Sequence, residues 1–412
     1  MKRKEIDVSG RFDHRLDTSA IDFSPTIDIK LLQRAGVDSS SLFTIIPGFC
    51  DVHVHFREPG FSYKETIKTG CNAAACGGYT AVATMPNLNP VADSLSHLGE
   101  QTMIIDKDAS VHVYPYAAIT VSEMGKELVD MAALAPHCIA FSDDGHGVQS
   151  SDIMREAMRQ AADLGKIITA HCEDNSLLNG GYIHDGKYAA EHGHKGISSA
   201  SEYKQIERDL KLADETGCSY HICHISCKES VELIRDAKKS GVNVSCETTP
   251  HHLLLDDSML EEDGRFKMNP PLRSSKDKDA LLDGVIDGTI DIVATDHAPH
   301  SLEEKSRGLA KSAFGVVGLE TAFPLLYTYL VRTEIISMDK LKEMLVYNPR
   351  KRFNIPLGND YSVWNMDVEW NIDSSFFLSM GKSTPFDGWR VSGINYLTVC
   401  DGKEVYNRQL SF

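Results

Sequence analysis

The feature that most constrains this fold is an alternation of short apolar runs with longer, helically patterned segments between about residues 45 and 300. Each β-branched apolar run predicts a strand. Each stretch with apolar residues three and four positions apart, ending near a glycine, predicts a helix. Eight strands are predicted in this way: GFCDVHVHF, YTAVATMPN, SVHVYPYAAI, CIAFSDD, KIITAHCED, SYHICHIS, VNVSCETTP and DIVATDHAP.

Eight repeated β/α units close most simply into a (β/α)8 barrel of the TIM type, which is an α/β fold. An open, doubly wound sheet is the competing architecture, but no G-x-G-x-x-G motif follows an early strand. The barrel is therefore the predicted fold of residues 45–353.

Composition narrows the class of function. The formal net charge of −17 over 412 residues disfavours general binding to nucleic acid, because the surface repels phosphate backbones. No long apolar stretch predicts a membrane span or a secretory signal, so a soluble, cytoplasmic protein is expected. The 10 cysteines include no C-x-x-C pair, which favours buried, reduced thiols over disulfides or a zinc ribbon.

Polar side chains suited to metal binding or proton transfer fall where the predicted strands end. In a parallel barrel these carboxyl ends converge on one face, which is the face where barrel enzymes carry their chemistry. Residues far apart in the sequence are therefore expected to share one pocket. They are His53 and His55 on the first strand, Asn87 after the second, Asp143 and Asp144 on the fourth, His171 on the fifth, His224 on the sixth, and Asp296, His297 and His300 at the eighth.

Each of these residues taken alone has an ordinary structural interpretation. A lone histidine is more often a core residue, an Asp-Gly pair is more often a turn, and TDHAPH can be a capped loop. Five predicted strands that all end in histidine or aspartate are harder to attribute to chance. Imidazoles with carboxylates suit zinc or a similar divalent ion, and their number favours two ions that share a bridging carboxylate.

The motifs PGFCDVHVHFREPG, ATMPN, AHCED, CHIS, KMNPPLR, ATDHAPH and AFG together resemble those of dihydroorotases of the bacterial type, within the amidohydrolase superfamily. The resemblance runs from about Ile45 to Phe353, with a weaker match at STPFDGWRVSG. The H-x-H pair is shared by the whole superfamily, whereas HVHFREPG and the MPN after the second strand are more specific to dihydroorotase. A hydrolase with two divalent ions, expected to be Zn²⁺, is therefore implied.

The resemblance also implies roles for individual residues. His53 and His55 match the ligands of the more buried ion, and His171 and His224 match those of the second. Asp296 matches a carboxylate that binds metal and also moves a proton. Many superfamily members bridge the ions with a carboxylated lysine on the fourth strand, but CIAFSDDGHG contains no lysine, so an aspartate is expected to bridge.

Two adjacent aspartates compete for the bridging position. Asp144 is preferred over Asp143, because an aspartate is shorter than a carboxylated lysine and Gly145 lets the backbone turn toward the metals. Asp143 is then expected to support the turn. His146 lies close to the bridge in sequence, and an exposed turn residue is its expected role.

Substrate recognition is implied by the same resemblance. Dihydroorotate carries a carboxylate, and Arg57 offers a planar fork that can bind it through two hydrogen bonds. Ala313 stands where the family often has proline, next to the backbone contact implied at Phe314 and Gly315. The implied substrate-binding residues are Arg57, Asn87, Asn269, His300, Phe314 and Gly315.

The implied reaction is the reversible cyclisation of N-carbamoyl-L-aspartate to (S)-dihydroorotate with release of water, in de novo pyrimidine synthesis. In the hydrolytic direction, Asp296 takes a proton from the attacking water and delivers it to the departing ring nitrogen. The polar, glycine-bearing segment 301–313 is a candidate lid over the pocket, and an exposed connection is the alternative.

The chain termini are expected to form a second, smaller unit from residues 1–44 and 354–412. The family usually has a small β-sandwich there, but residues 1–43 are polar and predict at most one strand and one short helix. The N-terminal half of the sandwich is thus expected to be reduced or rebuilt. The C-terminal half is expected to be retained, with strands in DYSVWNMDVEWNI and a hairpin in NYLTVCDGKEVYN that turns at Asp401 and Gly402.

Two other functions compete with dihydroorotase. One is a related cyclic-amide hydrolase acting on hydantoin or allantoin, which Arg57, Asn87 and the missing strand-four lysine disfavour. The other is an inactive scaffold for aspartate transcarbamoylase, which the complete set of ligand positions disfavours. The resemblance implies a homodimer and permits an association with that transcarbamoylase.

Overall fold

The computed structural model describes residues 25–37 and 43–410. Strands and helices alternate through most of the chain. The strands are β1 (Thr44–Pro47), β2 (Phe49–Val54), β3 (Tyr79–Thr84), β4 (His112–Pro115), β5 (Ile167–Ala170), β6 (Ile183–His184), β7 (Gly196–Ile197), β8 (Ser219–Ile222), β9 (Val244–Thr248), β10 (Ile292–Val293), β11 (Tyr361–Asn371), β12 (Arg390–Cys400) and β13 (Lys403–Asn407). The helices are α1 (Ile29–Arg34), α2 (Ile67–Cys76), α3 (Leu95–Asp108), α4 (Met131–Leu134), α5 (Ser151–Asp163), α6 (Lys187–His192), α7 (Ala200–Thr216), α8 (Lys228–Lys239), α9 (Pro250–Leu254), α10 (Ser275–Asp287), α11 (Leu302–Lys305), α12 (Gly308–Lys311), α13 (Ala322–Leu326), α14 (Met338–Lys342) and α15 (Asn348–Phe353).

Two parallel sheets carry the alternating part of the chain. One has the strand order β2-β3-β4, and the other has the order β10-β9-β8-β5. A parallel bridge between Val54 and His297 joins β2 to the segment after β10, and the His55 N–H donates to the His297 carbonyl over 2.8 Å. The carboxyl ends of β2 and β10 therefore lie side by side.

The predicted fourth strand is shorter than expected. Within CIAFSDD only Phe141 forms bridges, one with Ala117 on the β4 side and one with Ile168 in β5. The chain then leaves the sheet, because the next residues turn through Gly145 at φ 81°. The segment still links the two sheets. Parallel pairing therefore runs from β2 through β3 and β4 to Phe141, continues through β5, β8 and β9 to β10, and returns to β2 at the bridge between His297 and Val54.

The helices pack on the outside of the parallel strands through apolar stripes. In α5 the buried residues are Met154, Ala157, Met158 and Ala161, spaced at three and four positions as on one face of a helix. The helix begins at the N-cap Ser150, whose side chain accepts from the Ile153 N–H. The main apolar core therefore lies between the strands and the surrounding helices.

The terminal segments form one antiparallel sheet in the order β1-β11-β12-β13. The predicted hairpin is present between β12 and β13, with Asp401 at φ 49° and Gly402 at φ 71° as in a tight two-residue turn. The part of the chain before β1 contributes α1, whose Leu31 and Leu32 pack against this sheet. The short helix expected there is thus observed, and residues 1–24 and 38–42 lie outside the described range.

None of the helices in the described ranges is long and apolar enough to cross a membrane.

The first strand of the parallel part is anchored to α2 by a close contact at Gly70. A Cβ atom at Gly70 would overlap the ring of Phe56, which follows β2 and is fully buried. Gly99 in α3 is a matched control, because a Cβ atom there meets nothing within 4 Å.

We expect Gly70→Ala to lower the free energy of unfolding by about 1–3 kcal/mol, because the core must shift to admit the methyl group. Gly99→Ala should raise it by about 0.5–1 kcal/mol, because alanine loses less backbone freedom than glycine in a helix. Urea unfolding of the two variants and the wild type measures both effects. Equal destabilisation by the two substitutions would show that the Phe56 contact is not responsible.

Candidate metal centre and active site

Four imidazoles surround one buried carboxylate at the carboxyl ends of the strands. The Asp144 Oδ1 atom lies 3.3 Å from His53 Nε2, 3.7 Å from His224 Nε2 and 4.0 Å from His171 Nδ1. Its other oxygen lies 3.4 Å from His55 Nε2. These histidines come from three separate strand ends, those of β2, β5 and β8, which the parallel pairing brings to one face.

Asp296 closes the cluster on the side of the first strand. Its Oδ1 atom lies 3.1 Å from His55 Nε2 and 3.5 Å from His53 Nε2. Asp296 has φ 48° and His224 has φ 27°, a left-handed region that residues other than glycine rarely adopt. Such conformations persist where surrounding contacts hold them, and they are concentrated at functional sites.

Two neighbours fix the orientation of the H-x-H imidazoles. His53 Nδ1 lies 2.6 Å from the Glu247 carboxylate, so this nitrogen carries the proton and donates it. His55 Nδ1 lies 3.0 Å from Asn87 Oδ1, while the Asn87 amide nitrogen donates to the Asp144 carbonyl over 3.4 Å. In both histidines the Nε2 lone pair is therefore directed into the cluster.

The second pair of histidines has its own support. His171 Nδ1 lies 3.0 Å from His224 Nε2. On the other side of the ring, His171 Nε2 lies 3.4 Å from the Asn269 amide nitrogen and 3.7 Å from a Glu173 oxygen. The Asn269 amide also donates to Glu173 over 2.9 Å, so these side chains form one connected group.

Buried polar atoms without partners indicate that the cluster is built for cations. Within residues 25–37 and 43–410, His53 Nε2, His224 Nδ1 and Asp144 Oδ1 are buried and form no hydrogen bond. Leaving such atoms unpaired is costly unless another partner is bound. Among the groups with mutually close donor atoms, two belong to this cluster of imidazoles and aspartates, namely His53, Asp144 and His224, and His53, His55 and Asp296. Nitrogen and oxygen donors of this kind fit divalent zinc-like ions.

The electrostatics of the cluster keep both carboxyl groups ionised. Burial alone would raise the pKa of Asp144, but His53 and His224 outweigh burial and hold it well below its usual range. Burial likewise opposes ionisation of Asp296, and the hydrogen bond from His55 with the charge of His53 lowers its pKa. Asp296 is therefore a proton acceptor at neutral pH.

The two adjacent aspartates of the fourth segment have different environments. Asp143 turns away from the imidazoles, and its Oδ1 accepts from the N–H groups of Ile119 and Thr120 over 2.7 and 3.0 Å. Its Oδ2 accepts from the Thr120 hydroxyl. Asp144 is the one that faces the histidines, and Asp143 supports the turn. The His146 side chain is 65% exposed and lies 3.9 Å from Glu123, on the surface of this turn.

A cationic rim lies beside the cluster. Arg57 is 8% exposed, and its Nε donates to the Pro299 carbonyl over 3.2 Å. Its Nη2 lies 3.5 Å from His300 Nε2, which itself lies 2.7 Å from the Phe314 carbonyl oxygen. Burial lowers the pKa of Arg57 to about 10, so the guanidinium remains charged at neutral pH.

The loop that carries Gly315 is already bonded within the protein. The Gly315 N–H donates to the Lys267 carbonyl over 3.1 Å, and its carbonyl accepts from Lys305 over 2.7 Å. Gly315 thus shapes the pocket, and its amide and carbonyl groups are engaged there. Asn269 retains a buried side-chain oxygen without a hydrogen bond among the described residues, so it has an acceptor to offer a ligand.

Residues 301–313 contain helices α11 and α12, which are separated by a short connection. Glu304 lies 2.9 Å from Lys64 in the loop after β2, and its carboxylate also caps α11 through Ser301. The buried Lys305 ammonium donates to the carbonyls of Lys267, Ala313 and Gly315 over 2.7–3.0 Å. The segment is therefore tied to both sides of the pocket rim.

Sequence reasoning missed the supporting carboxylates. Glu247 lies on β9, which corresponds to a predicted strand without an assigned site residue, and it is completely buried. His53 and His221 oppose the effect of burial and lower the pKa of Glu247 to about 2. The signal available in the sequence was a glutamate inside the predicted strand VNVSCETTP, where a buried carboxylate needs a partner. Glu173 stands in AHCED beside a predicted ligand, but nothing in the sequence distinguishes it from a surface residue.

Comparison with known proteins identifies the family. The family described as "Dihydro-orotase-like" matches residues 43–230. The dihydroorotase of Fusobacterium nucleatum is 53% identical over 370 residues, which cover 88% of this chain and 87% of that protein. The dihydroorotase of Staphylococcus aureus strain MRSA252 is 47% identical over 412 residues, with 98% and 95% coverage.

The chain belongs to the dihydroorotase family. Among solved structures, the L-hydantoinase (dihydropyrimidinase) from Arthrobacter aurescens has a TM-score of 0.80 and 26% identity, covering 95% of this chain and 89% of that one. This member of the dihydroorotase family therefore shares the mixed α/β fold of that hydantoinase. Its sequence identity is higher to the Fusobacterium dihydroorotase, at 53%, than to the hydantoinase, at 26%.

The adjacent aspartates provide a matched test of the centre. We expect Asp144→Asn to lose bound metal and to lose activity by about 100-fold or more, because it removes the charge that faces four imidazoles. Asp143→Asn should keep both within about threefold, because an asparagine oxygen can still accept from Ile119 and Thr120. Metal per chain by mass spectrometry and hydrolysis rates measure the two outcomes. The assignment fails if both variants lose metal equally.

Proposed function

We propose that this protein is a dihydroorotase, which reversibly cyclises N-carbamoyl-L-aspartate to (S)-dihydroorotate with release of water in de novo pyrimidine synthesis. Identity of 53% to a curated dihydroorotase supports the reaction. The observation in the site that carries the proposal is the buried, charged Arg57 on the rim of the imidazole and carboxylate cluster. A cation in that position selects a cyclic amide that bears a carboxylate.

We infer that the ring of parallel pairings is a (β/α)8 barrel formed by residues 45–353. The terminal segments 1–44 and 354–412 then form the smaller β subdomain, supported by the sheet β1-β11-β12-β13. Its extension into a β-sandwich stays a prediction. The barrel accounts for the position of the site, because its carboxyl-terminal face brings the strand ends together.

We infer a binuclear centre for divalent ions, with zinc as the expected metal. The unpaired buried nitrogen and oxygen atoms of the cluster support this. When bound, two such ions supply Lewis acidity, which lowers the pKa of an attacking water and polarises a carbonyl group. The proposed ligands are His53, His55, Asp144, His171, His224 and Asp296.

Asp296 is the proposed catalytic acid and base. Because its carboxylate is ionised and lies at the mouth of the cluster, it can accept a proton from the water that attacks the ring carbonyl. The new C–O bond forms as the C–N bond of the ring breaks, and Asp296 returns the proton to the departing nitrogen. In the biosynthetic direction the same carboxylate removes that proton from the carbamoyl nitrogen as water leaves.

Arg57 is proposed to hold the substrate carboxylate while its Nε stays bonded to Pro299. This leaves the two Nη groups to form a fork, with His300 beside them. Asn87, which supports His55, is proposed to lie beside the same substrate carboxylate. Asn269 is proposed to contact the ring amide group while it supports His171. Segment 301–313, including the contact from Glu304 to Lys64, is proposed as the cover of this pocket.

Phe314 and Gly315 keep a proposed role in binding, with one adjustment. Their carbonyl groups accept from His300 and Lys305, so the backbone here acts by placing the His300 ring. A cytoplasmic location, a homodimer and an association with aspartate transcarbamoylase stay predictions.

Hydrolysis of dihydroorotate by the purified protein tests the reaction. We expect ready turnover of dihydroorotate and little turnover of hydantoin or allantoin. Asp296→Asn should lower kcat by about 100-fold or more, because it removes the group that transfers the proton. Preferred hydrolysis of hydantoin would favour the hydantoinase alternative. Metal binding without hydrolysis of any of the three compounds would favour the inactive scaffold.

The carboxylate clamp has a separate test. Arg57→Met should raise KM for dihydroorotate by about 10- to 100-fold, because a charge-assisted pair of hydrogen bonds is lost. The control substrate is dihydrouracil, which is the same ring without the carboxylate, and its kcat/KM should change little. If Arg57→Met lowers kcat/KM equally for both compounds, the arginine is structural and does not read the carboxylate.

A further inference from the structure

A second group of metal-type ligands lies at the opposite end of the strands from the active site. His112 is the first residue of β4, Cys400 ends β12, and Asp360 immediately precedes β11. His112 pairs with Ala81 in β3, at the end of the strand away from Asn87. The group therefore shares no residue with the site described above.

The ligand atoms of this group are mutually close. His112 Nε2 lies 3.3 Å from Asp360 Oδ2, and Cys400 Sγ lies 3.6 Å from the same oxygen. The Asp401 carboxylate lies 3.6 Å from His112 Nε2. All three pairs of donor atoms among His112, Asp360 and Cys400 lie within 4.8 Å.

These separations are those of a tetrahedral zinc site. Zinc bonds of about 2.0 Å to nitrogen and oxygen and 2.3 Å to sulfur give edges of about 3.3 Å between nitrogen and oxygen and about 3.5 Å between sulfur and oxygen. The measured distances of 3.3 and 3.6 Å match both kinds of edge. A simple ion pair between His112 and Asp360 would form without Cys400, so it does not explain why a thiol lies 3.6 Å from the same Asp360 oxygen.

The surroundings hold these ligands in place. Asp360 is 1% exposed, and its other oxygen accepts from the Asp401 N–H over 2.9 Å. Cys400 is 4% exposed, and its thiol lies 3.6 Å from the Asp360 carboxylate and 3.7 Å from the Thr80 carbonyl. His112 is 31% exposed and Asp401 is 71% exposed, so an ion can enter from the hairpin side.

We propose that His112, Asp360, Cys400 and Asp401 form a structural site for a zinc-type divalent ion. The ion replaces the proton of the Cys400 thiol, which is released to solvent, and binds one nitrogen, one sulfur and two carboxylate oxygens. One thiolate and two carboxylates leave one negative charge around a divalent ion, and the nearby Arg350 offsets it. The site ties β4 of the parallel sheet to β11 and the β12–β13 hairpin.

The test uses the full chain, stripped of metal, reloaded with zinc or cobalt and separated from excess ion. We expect wild type to retain one more metal ion per chain than Cys400→Ser or His112→Gln. Cys138→Ser, which removes another buried thiol, is the control and should match wild type. Cobalt-loaded wild type and Cys138→Ser should show a thiolate-to-cobalt absorption in the near ultraviolet that Cys400→Ser lacks.

Activity separates this site from the active site. Cys400→Ser and His112→Gln should hydrolyse dihydroorotate within about twofold of wild type, because distant sites act independently. Zinc should raise the Tm of metal-free wild type by more than it raises that of either variant. Equal metal content and equal cobalt spectra in wild type and both variants would overturn the proposal. Loss of activity together with the lost ion would place that ion in the catalytic centre and would also overturn it. If Cys400→Ser does not fold, His112→Gln, at a half-exposed position, decides the question.

Discussion

The rest of the site depends on one arrangement, in which the lone pairs of buried imidazoles converge on the Asp144 carboxylate. Such a cluster is costly to bury, since His53 Nε2, His224 Nδ1 and Asp144 Oδ1 lose water and form no hydrogen bond within the described part of the chain. The His53 and His55 rings keep this orientation because their Nδ1 atoms are hydrogen-bonded to neighbouring side chains. Glu247 holds His53, and Asn87 holds His55. The parallel strands supply the rigid frame, and the left-handed backbone at Asp296 and His224 is part of what that frame maintains.

The fold alone does not separate a dihydroorotase from a hydantoinase. A hydantoinase structure superimposes with a TM-score of 0.80 at 26% identity, although that enzyme is named for a different cyclic amide. The specificity that we propose comes from the rim, where Arg57 is held by Pro299 next to His300. A buried guanidinium whose Nη2 group lies beside His300 favours a substrate with a carboxylate. The proposed specificity thus depends on a few side chains, since the fold itself is shared with enzymes named for other substrates.

The same strands serve two separate regions. Their carboxyl ends carry the cluster of imidazoles and carboxylates, and their amino ends contact the antiparallel sheet of the chain termini. The group of His112, Asp360 and Cys400 lies at that second junction, where β4 meets β11 and β12. An ion there would join elements more than two hundred residues apart in the sequence without approaching the substrate. This assigns stability to one end of the strands and chemistry to the other, as barrel proteins commonly do.

Local pattern was enough to predict most strands, the hairpin at Asp401 and Gly402, and the histidines and aspartates at strand ends, because periodicity and turn chemistry depend on near neighbours. It overestimated the fourth strand, where only Phe141 pairs and the chain then turns. Contacts between distant segments decided the rest. Thr120 holds Asp143 away and leaves Asp144 facing the histidines, Glu247 supports His53 from another strand, and Cys400 meets His112. The sequence offered reasons to single out Asp144 and Glu247, but it did not show which residues they contact, because these partners become neighbours only when the strands pack together.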